Sequence, residues 1–285
     1  MPMQTLREAV SQAKAQKNAI GHFNISDSNQ LKALALAAQE TGFPVIVGLS
    51  EGEREYFPLV HARSVIDAYR ADGIRMYLNA DHTYSLEKAK SAIDAGVDSI
   101  VVDGAKGGMV ENISMVQSVV AYARQSGRDV VVEGELGYIG QSSKLHDELP
   151  EGVTLENLTT VEDAQKFSVE SGVDCLAPAV GNIHGMLKNA AEPRLHPERV
   201  AEIADATRLP LVLHGASGNT EDDVRACIAS GVTIVHINTE LRVAYRDALR
   251  SSVAGDEVAP YKFLLPVVES MKTYVVGKLR LFDGK

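Results

Sequence analysis

The residues able to bind a metal or move a proton stand at the ends of short apolar runs. Asn79-Ala-Asp81-His82 closes one run, Gly181-Asn-Ile-His184-Gly185 follows another, and His214-Gly215 closes Leu211-Val212-Leu213. A histidine taken singly is ordinarily a hydrogen-bonded structural residue. Three imidazoles with a fourth position open make a catalytic zinc site, whereas a closed structural site wants four protein ligands, usually with thiolate among them. Asp81, next to His82, is either a carboxylate that orients a ligand or a general base. Asp103 and Glu135 end two further runs and keep three readings: a second cation site, divalent or monovalent, orientation of the histidines, or capping of turns.

Two glycine-rich turns accompany the histidines: His184-Gly185 with Lys188 nearby, and Gly215–Gly218 with Ser217. Asn238-Thr239 opens a late helix. Such turns, at helix N-termini, present backbone N–H groups to an anion. A metal beside a phosphate cradle implies a small phosphorylated substrate with an oxygen the metal polarises. Ser50 and His236 also stand where strands end, as does Asn24, a candidate substrate contact.

The elements that must hold these residues alternate without a break. Strands are expected at Ala19–Asn24, Val45–Leu49, Arg75–Leu78, Ser99–Val102, Val130–Val132, Cys175–Ala177, Leu211–Leu213 and Thr233–Ile237, with a helical pattern after each. Short continuous apolar runs are what strands covered on both faces require. Tyr56–Ala71 reads as one helix, and Thr160-Val-Glu-Asp163 has the spacing of an N-terminal cap. The longest polar connection runs from Gly137 to about Asn157. Eight strand–helix units with no linker predict an α/β fold, a single (β/α)8 barrel over 1–285 with an N-terminal helix across the bottom and one or two extra C-terminal helices. In that fold the chemistry sits at the C-terminal ends of the strands, where the residues above converge. His22, His61, His146 and His196 are expected to be solvated or helix-associated.

Bulk properties narrow the setting. A net charge of −10 over 285 residues, with no Lys/Arg run, argues against nucleic acid and anionic membrane as partners. Cys175 and Cys227 form no CxxC pair and suit a reducing compartment. The charged amphipathic N-terminus is not a signal peptide, and no apolar run approaches a membrane span, so a cytoplasmic protein is expected.

Taken in order, the stretches FNISD, NADHT, SIVVDG, VEGELG, GNIHG, PLVLHGASG and NTEL resemble the class II (zinc-dependent) ketose-bisphosphate aldolases, the group of fructose- and tagatose-bisphosphate aldolases. The resemblance spans nearly the whole chain, whose compact length is closer to the tagatose-type branch. It implies a TIM barrel with Zn2+ on His82, His184 and His214, Asp81 as acid/base, and a second or mobile metal position near Asp103 and Glu135. It further implies phosphate contacts from Ser50, Gly185, Lys188, Gly215, Ser217, Asn238 and Thr239, and a homodimer or homotetramer. The implied reaction is reversible cleavage of a ketose 1,6-bisphosphate, fructose 1,6-bisphosphate first, to dihydroxyacetone phosphate and glyceraldehyde 3-phosphate, as in glycolysis. Zinc would polarise the ketone and stabilise the enediolate while Asp81 takes the hydroxyl proton. A Schiff-base aldolase would need a lysine at a strand end, and Lys106 and Lys188 lie elsewhere.

Three positions depart from the family pattern. His236 stands where the family has a substrate-contacting Asn. Ser142 and Ser143 occupy a loop where acids are usual, with His146, Asp147 and Glu148 as candidate replacements. Leu265 aligns with an Arg that reaches a neighbouring subunit's second phosphate, and Lys262 is its candidate replacement. These departures leave the sugar open between fructose bisphosphate, tagatose bisphosphate and related sugar phosphates. The competing readings are a non-catalytic partner subunit of an aldolase and a barrel metallohydrolase; the latter would want a His-x-His pair that Gly21-His22-Phe23 lacks.

Overall fold

Val45–Leu49 and the runs like it are too apolar to face water on either side, and a closed parallel barrel ringed by helices covers both faces at once. A computed structural model, describing residues 3–140, 142–154 and 158–284, shows that arrangement. The elements run α1 (Leu6–Gln16), β1 (Ile20–Asn24), α2 (Ser28–Thr41), β2 (Val45–Leu49), α3 (Glu51–Tyr56), α4 (Leu59–Ala71), β3 (Met76–Thr83), α5 (Leu86–Asp94), β4 (Ser99–Val102) and α6 (Met109–Gln125). They continue with β5 (Val131–Leu136), β6 (Leu145–His146), α7 (Val161–Ser171), β7 (Cys175–Pro178), β8 (Met186–Leu187), α8 (Pro197–Thr207), β9 (Leu211–Leu213), α9 (Glu221–Ser230) and β10 (Val232–Ile237). The chain closes with α10 (Thr239–Ser252), α11 (Pro260–Phe263) and α12 (Leu265–Phe282). Strands β1, β2, β3, β4, β5, β7, β9 and β10 pair in that order, all parallel, and β10 returns to β1. The fold class is therefore the α/β TIM barrel expected from the alternation.

Two apolar regions hold it. Outside the sheet, residues such as Phe23, Leu34, Val47, Leu78 and Phe167 pack the strands against the helices. Inside, at the N-terminal end, Leu6, Val10 and Ala13 of α1 plug the barrel against Ile46, Tyr77, Val131 and Ile234. Arg7 of the same helix reaches Asp174 and Asp129 at 2.7 and 2.8 Å, tying the plug to the strand entrances. The extra helix α12 packs chiefly on α2 and α10. Among the described residues no helix is long and apolar enough to cross a membrane.

The structure corrects three sequence expectations. The helix expected over Tyr56–Ala71 starts at Leu59, as α4, and a separate short helix, α3, precedes it over Glu51–Tyr56; Pro58 cannot donate to a continuing ladder and restricts Phe57 before it. The third strand does not stop at Leu78; it runs through Asp81 and His82 to Thr83. The polar connection after Gly137 contains β6, which pairs with β8 from the loop after β7. Residue 141 and residues 155–157 of that connection, including its expected end at Asn157, lie outside the described residues.

Candidate active site

The strand ends deliver Asn24 from β1, Asp81 and His82 from β3, Asp103 beyond β4, Glu133 and Glu135 from β5, His214 beyond β9 and His236 from β10. The loop between β7 and β8 adds His184. The ring centroids of His82 lie 4.7 Å from His184 and 5.0 Å from His214, and His184 and His214 are 5.8 Å apart. One donor atom from each of His82, Glu135, His184 and His214 falls within 4.8 Å of all the others. Two nitrogens are oriented by what they touch. His184 Nδ1 meets the Gly140 carbonyl at 2.6 Å; a carbonyl only accepts, so this nitrogen carries the proton and Nε2 keeps its lone pair. His82 Nδ1 meets Asp103 Oδ2 at 3.0 Å, which likewise leaves Nε2 as the donor atom. His214 is held at both nitrogens, by Glu135 Oε2 at 3.0 Å and Glu133 Oε1 at 2.6 Å, and must release one carboxylate to ligate.

The electrostatics fit a cation. Burial disfavours the charged form of all three imidazoles. At His82 the charge of Asp81, the Asp103 hydrogen bond and the charge of Glu135 overcome it and raise the pKa to about 9. His214 is raised well above its usual value by Glu133 and Glu135 against the same burial. At His184 burial and the charges of His82 and His214 outweigh the Gly140 carbonyl and the charge of Asp81 and lower it to about 3. Clustered imidazoles backed by buried carboxylates are the donor set of a divalent site, and the residues fit the metal that the sequence implies. Asp103 hydrogen-bonds His82 and the Ala105 N–H and, among the described residues, joins no group of donors able to share an ion. Of its three readings this geometry favours orientation of a ligand. Glu135 groups with the histidines rather than forming a separate centre.

Asp81 is differently placed. Its Oδ2 accepts from Asn24 Nδ2 at 2.8 Å, while its buried Oδ1 has no hydrogen-bond partner. Burial would raise its pKa, but His82, His22, His214 and the Asn24 hydrogen bond prevail and hold it well below the usual carboxylate range. The result is an ionised carboxylate with one free oxygen, the form a base requires.

Two clefts meet above these groups. One is lined by Gly185, Gly215, Ser217, Asn238 and Thr239. Gly215 has φ +57°, and a Cβ there would lie 2.1 Å from the Ile183 carbonyl oxygen, so only glycine makes this turn. The other has Ser50, Tyr84, Ser142, Ser143 and Arg242 in its walls. The two share Asp81, His82, Ser143, His184 and Asn238. Lys188 lines neither cleft; it pairs with Asp147 at 3.0 Å on the surface, drawn there by the β6–β8 pairing. Leu265 is exposed and Lys262 pairs with Glu257 at 3.2 Å, so within one chain neither reaches the rim clefts. His146 Nε2 contacts the Ser142 carbonyl at 3.1 Å.

His22 is neither solvated nor helix-associated, contrary to expectation. It is fully buried in the barrel interior and stacks on His236 with centroids 3.5 Å apart, and His236 stacks in turn on His214 at 4.2 Å. Its Nε2 meets Asn79 Oδ1 at 3.0 Å, and it fits because residue 48 is glycine: a Cβ at Gly48 would lie 2.2 Å from the ring. Glu53 and Arg242 also escaped the sequence reading. Glu53 Oε2 accepts from Asn24 Nδ2 at 2.9 Å and from the Ser50 N–H and hydroxyl, and Arg242 donates to Glu53 Oε1 at 2.5 Å and to the Ser143 carbonyl at 2.9 Å. Ser50-x-x-Glu53 has capping-box spacing directly after a strand, a signal that would have found both α3 and Glu53.

Comparison with known proteins gives consistent matches. The sequence model of a family described as "Fructose-bisphosphate aldolase class-II" matches residues 4–285. The chain is 35% identical over 291 positions to a probable fructose-bisphosphate aldolase of Bacillus subtilis (strain 168), covering 100% of this chain and 99% of that protein. It is 34% identical over 292 positions to the fructose-bisphosphate aldolase of Geobacillus stearothermophilus, covering 100% and 98%. Among solved structures, a putative fructose-1,6-biphosphate aldolase from Coccidioides immitis superposes with a TM-score of 0.83 at 28% identity, covering 97% of this chain and 95% of that one. The YdjI aldolase from Escherichia coli K12 gives 0.81 at 27%, covering 98% and 97%.

Proposed function

The chain belongs to the class II fructose-bisphosphate aldolase family and is an aldolase, a carbon–carbon lyase; from that premise we propose that it is metal-dependent and reversibly cleaves a ketose 1,6-bisphosphate, fructose 1,6-bisphosphate first, to dihydroxyacetone phosphate and glyceraldehyde 3-phosphate. The observation that carries the reading is the unpartnered Asp81 Oδ1 beside three clustered imidazoles, where the two clefts join. His82, His184 and His214 would hold the cation, zinc in this reading, with Glu135 beside them. When bound, it supplies Lewis acidity to a substrate carbonyl.

The chain's own residues do the rest. Gly185, Gly215, Ser217, Asn238 and Thr239 receive the phosphate next to the ketone, with backbone N–H groups where an N-terminal helix dipole favours an anion. Asn24 fixes Asp81 Oδ2, so Oδ1 takes the proton from the hydroxyl on the carbon beyond the scissile bond. As that O–H is lost a C=O forms, the carbon–carbon bond breaks, and its electron pair passes to the carbon next to the ketone. His236 Nδ1, 3.7 Å from Asp81 Oδ1, stands where it can hydrogen-bond the same substrate edge.

A coupled cleavage assay over fructose and tagatose bisphosphates and their 1-phosphates, with metal content measured alongside, tests this. EDTA should abolish turnover, zinc or cobalt should restore it, and borohydride with substrate should trap no adduct. Full activity after verified removal of metal would overturn the proposal. A purified chain that cleaves none of the panel would favour the partner-subunit reading. The homodimer or homotetramer implied by the resemblance is checked by light scattering on the same preparation.

A further inference from the structure

His82 has a backbone φ of +35°, a region that non-glycine residues avoid, and it sits at a register shift of β3 against β4 between Ala80 and Thr83. Strain of this kind persists only where the surroundings over-determine it. One side chain holds three acceptors of this turn at once. Arg54, on the short helix α3, donates from Nη2 to the Asp81 carbonyl at 3.2 Å and to the His82 carbonyl at 3.1 Å, and from Nη1 to the Thr83 hydroxyl at 3.2 Å. A planar guanidinium spreads its donors over a rigid fork and reaches these acceptors from two nitrogens, where an ammonium offers one compact point. The Arg54 side chain is half-buried where it makes these contacts. The same helix grips this segment twice more. Glu51 Oε1 accepts the Tyr84 N–H at 3.0 Å, and Glu53 reaches Asp81 through Asn24.

We propose that Arg54 is a positioning residue: by clamping the Asp81–Thr83 backbone in its strained turn, it sets the base and the neighbouring ligand in register with His184 and His214. This rests on the reading of Asp81 as base and His82 as ligand. Arg54 also lines an open groove between α3–α4 and α5, which gives free guanidinium a route to its place.

The test uses the full chain stripped of metal, titrated with cobalt(II) and followed by its visible absorption, together with kcat, KM and Tm. Arg54→Met, which keeps the apolar stem, should weaken cobalt binding by roughly 10- to 100-fold, the usual range for partners that orient ligands. Its kcat should fall by a similar factor while KM stays within about threefold. Free guanidinium at low millimolar concentration should restore part of the kcat and cobalt affinity of Arg54→Ala, and equimolar ammonium should not. Cobalt affinity and kcat within twofold of wild type would overturn the proposal, and so would a loss of activity that only tracks the folded fraction. Should the truncations fail to fold, Arg54→Lys carries the test, and unchanged cobalt affinity there is fatal to the idea. Failure of the underlying reading looks different: wild type then binds no cobalt, or Asp81→Asn turns over normally.

Discussion

Asp81 and His214 sit within a few ångströms of one another, yet their loss should separate cleanly. Asp81 gives Oδ2 to Asn24 and keeps Oδ1 free, so Asp81→Asn removes the base with little change of shape. We expect kcat to fall by about 10² to 10⁴, the ordinary worth of a positioned base, with metal content near wild type. His214→Ala removes a donor and strands Glu133 and Glu135, and should lose both metal and turnover. Metal analysis of both variants, beside steady-state rates, reads the distinction; Asp81→Asn retaining normal turnover would remove it from the mechanism. Gly48 makes a purely steric case. Its Cβ would meet the buried His22 ring at 2.2 Å, so Gly48→Ala should cost about 1–3 kcal/mol in urea unfolding, as overpacked cores do. The rim histidines were legible because they stand at or just beyond the ends of apolar runs, two of them, His184 and His214, with glycine beside them. His22 was not, because a histidine between Gly21 and Phe23 looks the same in sequence whether its neighbour is water or another imidazole. The ion pair of Lys188 was hidden too: its place beside a glycine turn says nothing of Asp147, which sits 3.0 Å away beside the paired β6 and β8.

At the scale of elements, eight strands and most helices could be read because burial on two faces and on one face leave different periodicities. Helix α3 could not. Its six residues carry four charges and bury Glu53 alone, so it has no apolar stripe to show. The end of β3 was hidden likewise, since Asn79, Asp81 and His82 face a polar rim. Helix α1 was expected at the barrel bottom, and its anchor makes a testable claim. Asp174 accepts from Arg7 and Arg124, both at 2.7 Å, and from the Val132 N–H at 2.9 Å. Burial pushes the Asp174 pKa up, but these hydrogen bonds outweigh it and hold it below the usual value. A carboxylate depressed in the folded state stabilises above its unfolded pKa, about 4, and loses that contribution as pH falls through the folded value. Asp174→Asn should therefore cost about 1–3 kcal/mol at pH 7, on the scale of hydrogen bonds to a charged group. The gap from wild type should narrow in urea titrations below about pH 4. A gap that is constant with pH would show that packing, not charge, is what Asp174 contributes.

For the whole molecule, the site is also a fastener. His82, His184 and His214 come from β3, the loop after β7 and the end of β9, and Glu135 from β5 lies between them. These segments are far apart in sequence and meet only in the closed barrel, so an unfolded chain presents no comparable donor set. A cation that binds the folded chain alone must therefore stabilise it, by about 2.7 kcal/mol when free metal is 100 times its Kd. For a chain of this size each kcal/mol moves Tm by roughly 2 °C, so zinc at that level should raise it by roughly 5 °C, rising further with the logarithm of concentration. His214→Ala should abolish the zinc-dependent increment whatever its own Tm. Asp81→Asn should keep most of it, because Asp81 lies outside the donor group of His82, Glu135, His184 and His214. Scanning calorimetry of the three proteins with and without EDTA decides the matter. If zinc raised the Tm of His214→Ala as much as that of wild type, the cation would bind elsewhere and the convergence of the three histidines would need another cause.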